Sequence, residues 1–447
     1  MPKMANEIRV AVVGAGAAGL CALRQLTSQG PSGSGDKLQF VVTCLEKSPR
    51  VGGTWYYTNC IGKDEYGLQV HSSMYKNLRT NLPVECMAFP DYPFPEDLPS
   101  FVRHKDVQKY LEDYTAHFNL SQYIKFLTIV KWIEPVVDET SQFKFKWAVT
   151  TCNVLNQAEE VTQIYEAVLV CNGHYATPKI PNIPGLETFT GQVLHSHDYR
   201  TPESFSNKVV VLLGAAASGQ DISLELSHVA KVVYLSHHKP QLTTKLPKNL
   251  LQKPGIKLIS ESEVQFLDDS KVRADILLLC TGYYYDYDFL SPGCGIRVDD
   301  GRVTPIYQHL INTNYPTMAI VGVCKVIVPF PIFDVQVRYF RSILDGTCIL
   351  PSKEEMDKHI DEDYRARLQE GLPHRYAHTM GDRQFTYINE LADLAKTNRI
   401  PDFYSQLYHL TSAMKQKNLM EYKNANFVVD DSGRVKECTE RTVVDKF

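Results

Sequence analysis

Gly14, Gly16 and Gly19 follow directly on the apolar run 8–13 and open a stretch rich in Ala and Leu, a spacing with a definite chemical use. Each glycine has a separate job. Gly14 makes the tight turn, Gly16 leaves the backbone bare enough to approach a pyrophosphate, and Gly19 lets a helix pack closely on its sheet. The phosphate charge then rests at Ala17 and Ala18, where the unpaired N–H groups and dipole of a helix N-terminus favour an anion. Glu46, at the end of the next apolar run 40–45, is placed to accept from ribose hydroxyls. The Gly14 to Glu46 spacing is longer than usual, and the Gly/Ser-rich stretch 30–36, read as a surface loop, accounts for the excess. The residues predict a dinucleotide site.

Just beyond lie Lys47 and the run Gly52, Gly53, Thr54, Trp55. Adjacent glycines free backbone N–H groups for a ligand, and an indole can pack on a planar ring, which points to FAD rather than NAD. Taken alone, Trp55 reads more readily as core than as a ligand contact, so the weight rests on its position after the acidic strand. A second turn repeats the theme at Gly214 to Asp221, with Ser218, Gly219 and Gln220 opening its helix. Ala216 replaces the middle glycine there, and its methyl is expected to push the phosphates outward and weaken binding. The strand that follows ends in Ser236, His237, His238 and Lys239, where an acid would select NAD; these donors suit a 2′-phosphate, so NADPH is expected. The plainer alternative is an exposed polar loop.

The elements that must hold these turns are strand, turn and helix units: strand 8–13 with helix 17–28 and strand 40–45, then strand 208–213 with a helix over about 220–228 and strand 231–235. Two further apolar strands, 167–171 and 275–280, end in Asn172-Gly173 and Thr281-Gly282 and read as crossings between domains. The fold expected is α/β with two Rossmann-like dinucleotide-binding domains, the NADPH domain inserted in the FAD domain. Its division is an FAD domain over 1–175, an NADPH domain over 176–284, and 285–447 as the rest of the FAD domain with a helical C-terminal segment. In that tail Tyr387, Leu391, Leu394 and Ala395 fall at helix spacing, and nothing chemical is visible.

A chain of 447 residues with 44% hydrophobic and 22% charged residues is a multi-domain globular protein, not a disordered or fibrous one. A net charge of −4 supplies no basic field for nucleic acid. Eleven cysteines without a C-x-x-C pair argue against a zinc ribbon, a redox dithiol and a metal site, leaving reduced core thiols. With no apolar leader of signal-peptide length and no run long enough to span a bilayer, a cytoplasmic protein without a membrane span is expected. A homo-oligomer is compatible with the sequence but not indicated by it.

Between the two glycine turns stands Phe189-x-Gly191-x-x-x-His195-x-x-x-Tyr199, and beyond the second stands Leu279-Cys-Thr-Gly-Tyr283. Read alone, His195 is structural. Together with the turns these segments resemble the flavin-containing monooxygenases over Gly14 to about Arg338, the second matching that family's Phe-Ala-Thr-Gly-Tyr signature. Tyr199, where the related Baeyer–Villiger enzymes typically carry Trp, leans toward the N- and S-oxygenating branch. The segment 75–94 resembles the family's flavin-facing stretch, with Asn81 on its active-site asparagine and Thr80 and Leu82 beside the cofactors; without the resemblance, Thr-Asn before Pro is a turn. Its wording, and the lack of a membrane-associating tail, most resemble insect members such as the pyrrolizidine alkaloid N-oxygenases.

The resemblance implies an enzyme using FAD, NADPH and O2. NADPH reduces the flavin, oxygen adds to give a peroxyflavin, NADP+ stays to shield it, and a tertiary amine, alkaloid or thioether takes one oxygen atom. It makes Asn81 the catalytic candidate and places Thr80, Ser218, Gly219, Gln220 and Asp221 along the nicotinamide cofactor. Three alternatives stay open: a Baeyer–Villiger enzyme, an N-hydroxylating monooxygenase, or a flavin-binding scaffold without turnover, for which Ala216 is the argument.

Overall fold

The computed structural model describes residues 7–28, 38–141 and 143–438, so the Gly/Ser stretch 30–36 lies outside the described residues. Two sheets organise the chain, one parallel through its central strands with an antiparallel edge at Ile306–Tyr307 and Ile311–Asn312, the other parallel throughout. The first is seven-stranded and its centre is Glu7–Val13, flanked by Gln39–Leu45 on one side and Ala167–Val170 on the other, with Met318–Ile320 beyond. Val10, Ala11 and Val12 are fully buried, so both faces of this strand are covered and its apolar run needs no alternation. The second sheet is five-stranded, all parallel, in the order Leu250–Lys253, Val232–Ser236, Val209–Leu213, Ile276–Leu279, Gln192–His195. All its strands fall between two halves of the first sheet, which is the inserted arrangement expected.

The connection is made by residues just past the two crossings. Thr177–Pro178 pairs antiparallel with Tyr283–Tyr284, so the way out of the first sheet and the way back are zipped together. Asn172 donates from Nδ2 to the Asp286 carbonyl at 2.9 Å, and Thr281 donates to the Lys179 carbonyl at 2.6 Å, fastening each crossing to the other. Helix Ala17–Thr27 matches the sequence reading, whereas the second helix runs Ala217–Ser227 and starts three residues earlier than periodicity indicated, because Ala217 to Gly219 belong to its first turn.

Several elements carried no motif. A three-stranded antiparallel sheet, Thr128–Val137, Phe145–Asn153 and Asn156–Tyr165, is anchored by the fully buried Trp147, whose indole donates to Thr317 at 2.9 Å. Helix Pro329–Leu344 packs on Ala17–Thr27, with Gln25 bonded to Asp334 at 2.7 Å and Arg341 donating to the Gln25 carbonyl. The tail is helical over Lys353–Gln369, Arg383–Leu394 and Phe403–Lys417, then ends in the hairpin Asn426–Val429 with Val435–Cys438. Tyr387, Leu391 and Ala395 are buried there as their spacing required, but Leu394 is exposed. No helix among the described residues is long and apolar enough to cross a membrane.

A buried imidazole pair ties this tail to the first sheet. The Val303 N–H donates to His378 Nε2 at 2.8 Å, so the other nitrogen of a neutral His378 carries the proton and faces His309 Nδ1 at 2.9 Å. Burial is the main reason both rings stay neutral. It holds His309 at about 4, with Asp363 pulling the other way, and His378 well below the ordinary value, with His309 and the cations Arg367, Lys325 and Arg302 adding to it. The fold therefore binds fewer protons than the unfolded chain below the ordinary value of 6.5. Stability is expected to be lost as pH falls from there to about 4, by up to about 1.4 kcal/mol per pH unit for each histidine. Urea midpoints near neutral pH and at about pH 5 check this; equal midpoints would contradict it.

Candidate functional site

The first turn is built as a cradle that side chains would fill. Gly14 sits at φ +99°, and a Cβ on Gly19 would stand 1.8 Å from the Gly14 carbonyl oxygen. The turn meets the second glycine run directly: the Gly52 N–H donates to the Ala15 carbonyl at 3.0 Å, and a Cβ on Gly53 would lie 3.0 Å from the Gly16 Cα. Gly52, at φ +108°, leaves no room for a side chain because Gln108 Oε1 occupies that space. These glycines bring two stretches of bare backbone into contact beside the helix entry, which leaves their N–H groups open to the close approach that a pyrophosphate and an adjoining planar ring require. Ala17 is buried in the helix entry and Ala18 is half-buried beside it.

Glu46 does more than the sequence assigned to it. Its two carboxylate oxygens accept from the Ala15 N–H at 2.6 Å and the Ser48 N–H at 2.7 Å, fixing both ends of the turn. Burial raises its pKa, and those two backbone donors oppose the rise. Each oxygen keeps a lone pair for a ribose hydroxyl. Lys47 is exposed next to it, while Thr54 meets Ser73 at 3.4 Å and half-buried Trp55 stands edge-on to Phe330.

The second turn has the same form. Gly214 sits at φ +110°, and a Cβ on Gly219 would again stand 1.8 Å from the Gly214 carbonyl oxygen. Ala216 occupies φ −82°, ψ −166°, close to the −75°, −172° of Gly16, an extended conformation open to any residue, and it is exposed. The substitution leaves the turn intact because its backbone conformation is one that any residue adopts. Ser218 is exposed at the helix entry, and Gln220 holds the Ala215 carbonyl through Nε2 while its Oε1 is buried without a partner.

One expectation about this second site needs correction. Ser236 is fully buried and donates to the Pro254 carbonyl, and His237 is buried with its ring against the Lys239 carbonyl and Gln252, so both are committed to holding the strand end. Only His238 and Lys239 remain exposed for a 2′-phosphate. Asp221, expected along the nicotinamide cofactor, has its carboxylate paired with Lys423 Nζ at 2.5 Å and accepting from Tyr75 at 3.4 Å. The tail thus does reach the site, contrary to its bland reading.

That ion pair closes a junction between the units. Lys423 also donates to the Arg79 carbonyl, and Arg79 returns bonds to the Lys423 carbonyl and Asn424. Glu225 takes Tyr199 on one oxygen at 2.7 Å and Asn77 on the other at 2.6 Å. Arg200 is buried with its guanidinium on the carbonyls of Thr58, Cys60, Ser72, His197 and Tyr199. The Phe-x-Gly-to-Tyr segment is therefore a clasp that binds the second unit to residues 58–77. Asp221 and Lys423 are mostly buried, so Lys423→Met, leaving a carboxylate unpaired, is expected to cost about 3 kcal/mol of stability, and Asp221→Asn in the same chain to restore part of it. A denaturation double-mutant cycle measures this; additive losses would contradict it.

Thr80 and Asn81 lie on this junction. Thr80 is buried, its N–H on the Val102 carbonyl and its hydroxyl without a partner, whereas Asn81 is exposed and Leu82 half-buried. His195 is buried with Nε2 unpartnered, and burial holds it neutral, at about 4. Orphaned buried polar atoms at Thr80, His195 and Gln220, beside cradles that no side chain fills, fit a pair of nucleotide cofactors. Gln108 and Arg200 were not legible as parts of this site, since each is a lone residue brought in by topology.

Comparison with known proteins points the same way. The family model for flavin-binding monooxygenase-like proteins matches residues 7–245 and 240–411. The chain is 35% identical over 434 residues to the flavin-containing monooxygenase FMO GS-OX-like 4 of Arabidopsis thaliana, covering 93% of each. Among solved structures it is similar to the S-allyl-L-cysteine S-oxygenase of Allium sativum, with 33% identity, a TM-score of 0.84, and 95% and 96% of the two chains covered. Tmm from Pelagibacter sp. strain HTCC7211 matches at 26% identity and a TM-score of 0.82, over 96% and 95%.

Proposed function

This chain belongs to the flavin-binding monooxygenase family, an enzyme family of flavin-dependent heteroatom oxygenation, and we propose that it uses FAD and NADPH to place one atom of O2 on a soft nucleophile, a thioether or tertiary amine. The observation that carries the reading is the doubled cradle: two glycine turns of the same geometry, each blocked to any Cβ at its third glycine, joined across Tyr75 and Asp221. FAD belongs to the first, residues 14–19 with Glu46, Gly53, Thr54 and Trp55. NADPH belongs to the second, Ser218 to Gln220 with Lys239, in a unit we assign to residues 176–284.

Bound there, FAD supplies hydride acceptance and activation of dioxygen, and the protein supplies position. Helix N-termini at Ala17 and Ala217 hold the phosphates, and Glu46 orients a ribose. The junction of Tyr75, Glu225 and Arg200 keeps the two cofactor units in one register and water out of the seam. Asn81, exposed and carrying both an amide donor and an acceptor, is the residue we assign to hold the reacting oxygen. The S-oxygenase relative supports a thioether as acceptor; an alkaloid nitrogen is chemically equivalent as a soft lone pair. Cysteines that form no disulfide among the described residues suit the cytoplasm. The test is NADPH oxidation by FAD-loaded protein under isotopically labelled dioxygen: one label in the sulfoxide or N-oxide is expected, and an unlabelled product or none contradicts the reading.

A further inference from the structure

Lys325 and His174 leave the same edge of the first sheet. Ala167–Val170 and Met318–Ile320 are neighbouring parallel strands, and the chain carries His174 past the end of one and Lys325 past the end of the other. Ligands of open parallel sheets bind outside such carboxyl ends. Both side chains rest on one ring: Lys325 Nζ lies 4.1 Å from the centroid of Tyr285, and the His174 ring centroid lies 5.2 Å from it.

Neither has the partner its chemistry asks for. Among the described residues no carboxylate lies within 4.0 Å of the half-buried Lys325 ammonium; the charge that acts on it is another cation, Lys179, already paired with Asp300. Burial first, then Lys179, lowers the Lys325 pKa to about 8. His174 Nε2 is buried without a partner, while the ring bonds to the Gly322 backbone; burial first, then Lys325, holds it neutral, at about 3. The backbone is spent on holding Lys325 in place: its N–H and C=O bond His378 and Met380, and Val326, a β-branched residue, is forced to φ +58° with its carbonyl on the Gly381 N–H. Strain of this kind persists where surrounding structure over-determines a position and gathers at ligand sites.

A cation and a neutral nitrogen acceptor on one aromatic floor are the complement of a carboxylate with a hydrogen-bond donor beside it. The phosphates of both cofactors have their own cradles. We propose that Lys325 and His174 form the head-group pocket of the oxygen-accepting substrate, which is a thioether or amine bearing a carboxylate and an adjacent donor, of the α-amino acid type. Lys325 takes the carboxylate and His174 Nε2 accepts from the donor. This rests on the function proposed above and specifies its substrate.

Methionine, its primary amide and its desamino acid test it, with thioanisole as the neutral thioether. Wild-type FAD-loaded enzyme is expected to favour methionine over the amide by about tenfold in kcat/KM, through KM, and Lys325→Met to bring that ratio to about one, with Lys325→Arg restoring it. Calorimetry with methionine sulfone, which accepts no oxygen, is expected to show the same loss of binding in Lys325→Met without any turnover. A ratio unchanged in Lys325→Met, or a parallel rise in KM for NADPH, overturns the proposal by assigning Lys325 to the cofactors or the fold. Failure of wild type to oxygenate even thioanisole would overturn the functional reading itself, whereas sulfone binding that tracks Lys325 would still establish the pocket.

Discussion

Gly19→Ala protein is expected to purify with less than about a tenth of the flavin carried by wild type, whereas Gly219→Ala is expected to keep its flavin and need about tenfold more NADPH for half-maximal oxidation. The reason is the same overlap in two places. A methyl on either glycine would stand 1.8 Å from the carbonyl oxygen of the turn below, so the helix must retreat by about 1.5 Å. That retreat removes the N-terminal N–H groups from the phosphate they serve. Neither helix can absorb it by a side-chain shift, because the obstacle is backbone. Flavin released on denaturation and the KM for NADPH read the two effects separately, and secondary structure by circular dichroism controls for unfolding. Loss of flavin from Gly219→Ala with retention in Gly19→Ala would reverse the assignment of the two cradles.

Asn81→Ala is the second large effect expected. The flavin should remain bound, because the cradle at residues 14–19 and 52–55 is untouched. NADPH consumption should continue while oxygenated product per NADPH falls by about tenfold or more, the scale of one lost hydrogen bond to a charged group. The missing oxidising equivalents should emerge as hydrogen peroxide. Asn81→Asp, which keeps size and acceptor but loses the donor, should resemble alanine. Product yield equal to wild type in Asn81→Ala would remove Asn81 from the chemistry.

Both glycine turns were legible because a backbone requirement has few solutions in residue type. Gly14, Gly19, Gly214 and Gly219 each answer a contact that a Cβ cannot satisfy, and the strand before each is apolar on both faces. Ala216 shows the limit of that reading: the sequence has a methyl where a glycine is usual, and the backbone there is extended and open to any residue, as at Gly16, where a Cβ would meet Gly53 only at an ordinary contact distance of 3.6 Å. Ser236 and His237 have the right chemistry for a phosphate, yet the strand end they terminate needed their hydrogen bonds first. Lys423 lies 202 residues from Asp221, and no local pattern announces a pair that the tail's path creates. The sheet Thr128 to Tyr165 and the hairpin at Asn426 carry no spacing beyond ordinary strands, so the eye passes over them.

Two phosphate cradles meeting at one seam is the claim on which the rest depends. The direct measurement is anaerobic mixing of the FAD-loaded protein with NADPH and then NADH, following the colour of the bound flavin. The account predicts one FAD per chain and rapid bleaching by NADPH, with slower bleaching by NADH because His238 and Lys239 are exposed where a 2′-phosphate would lie. A protein that takes up no flavin, or whose bound flavin keeps its colour under both nucleotides, would contradict it.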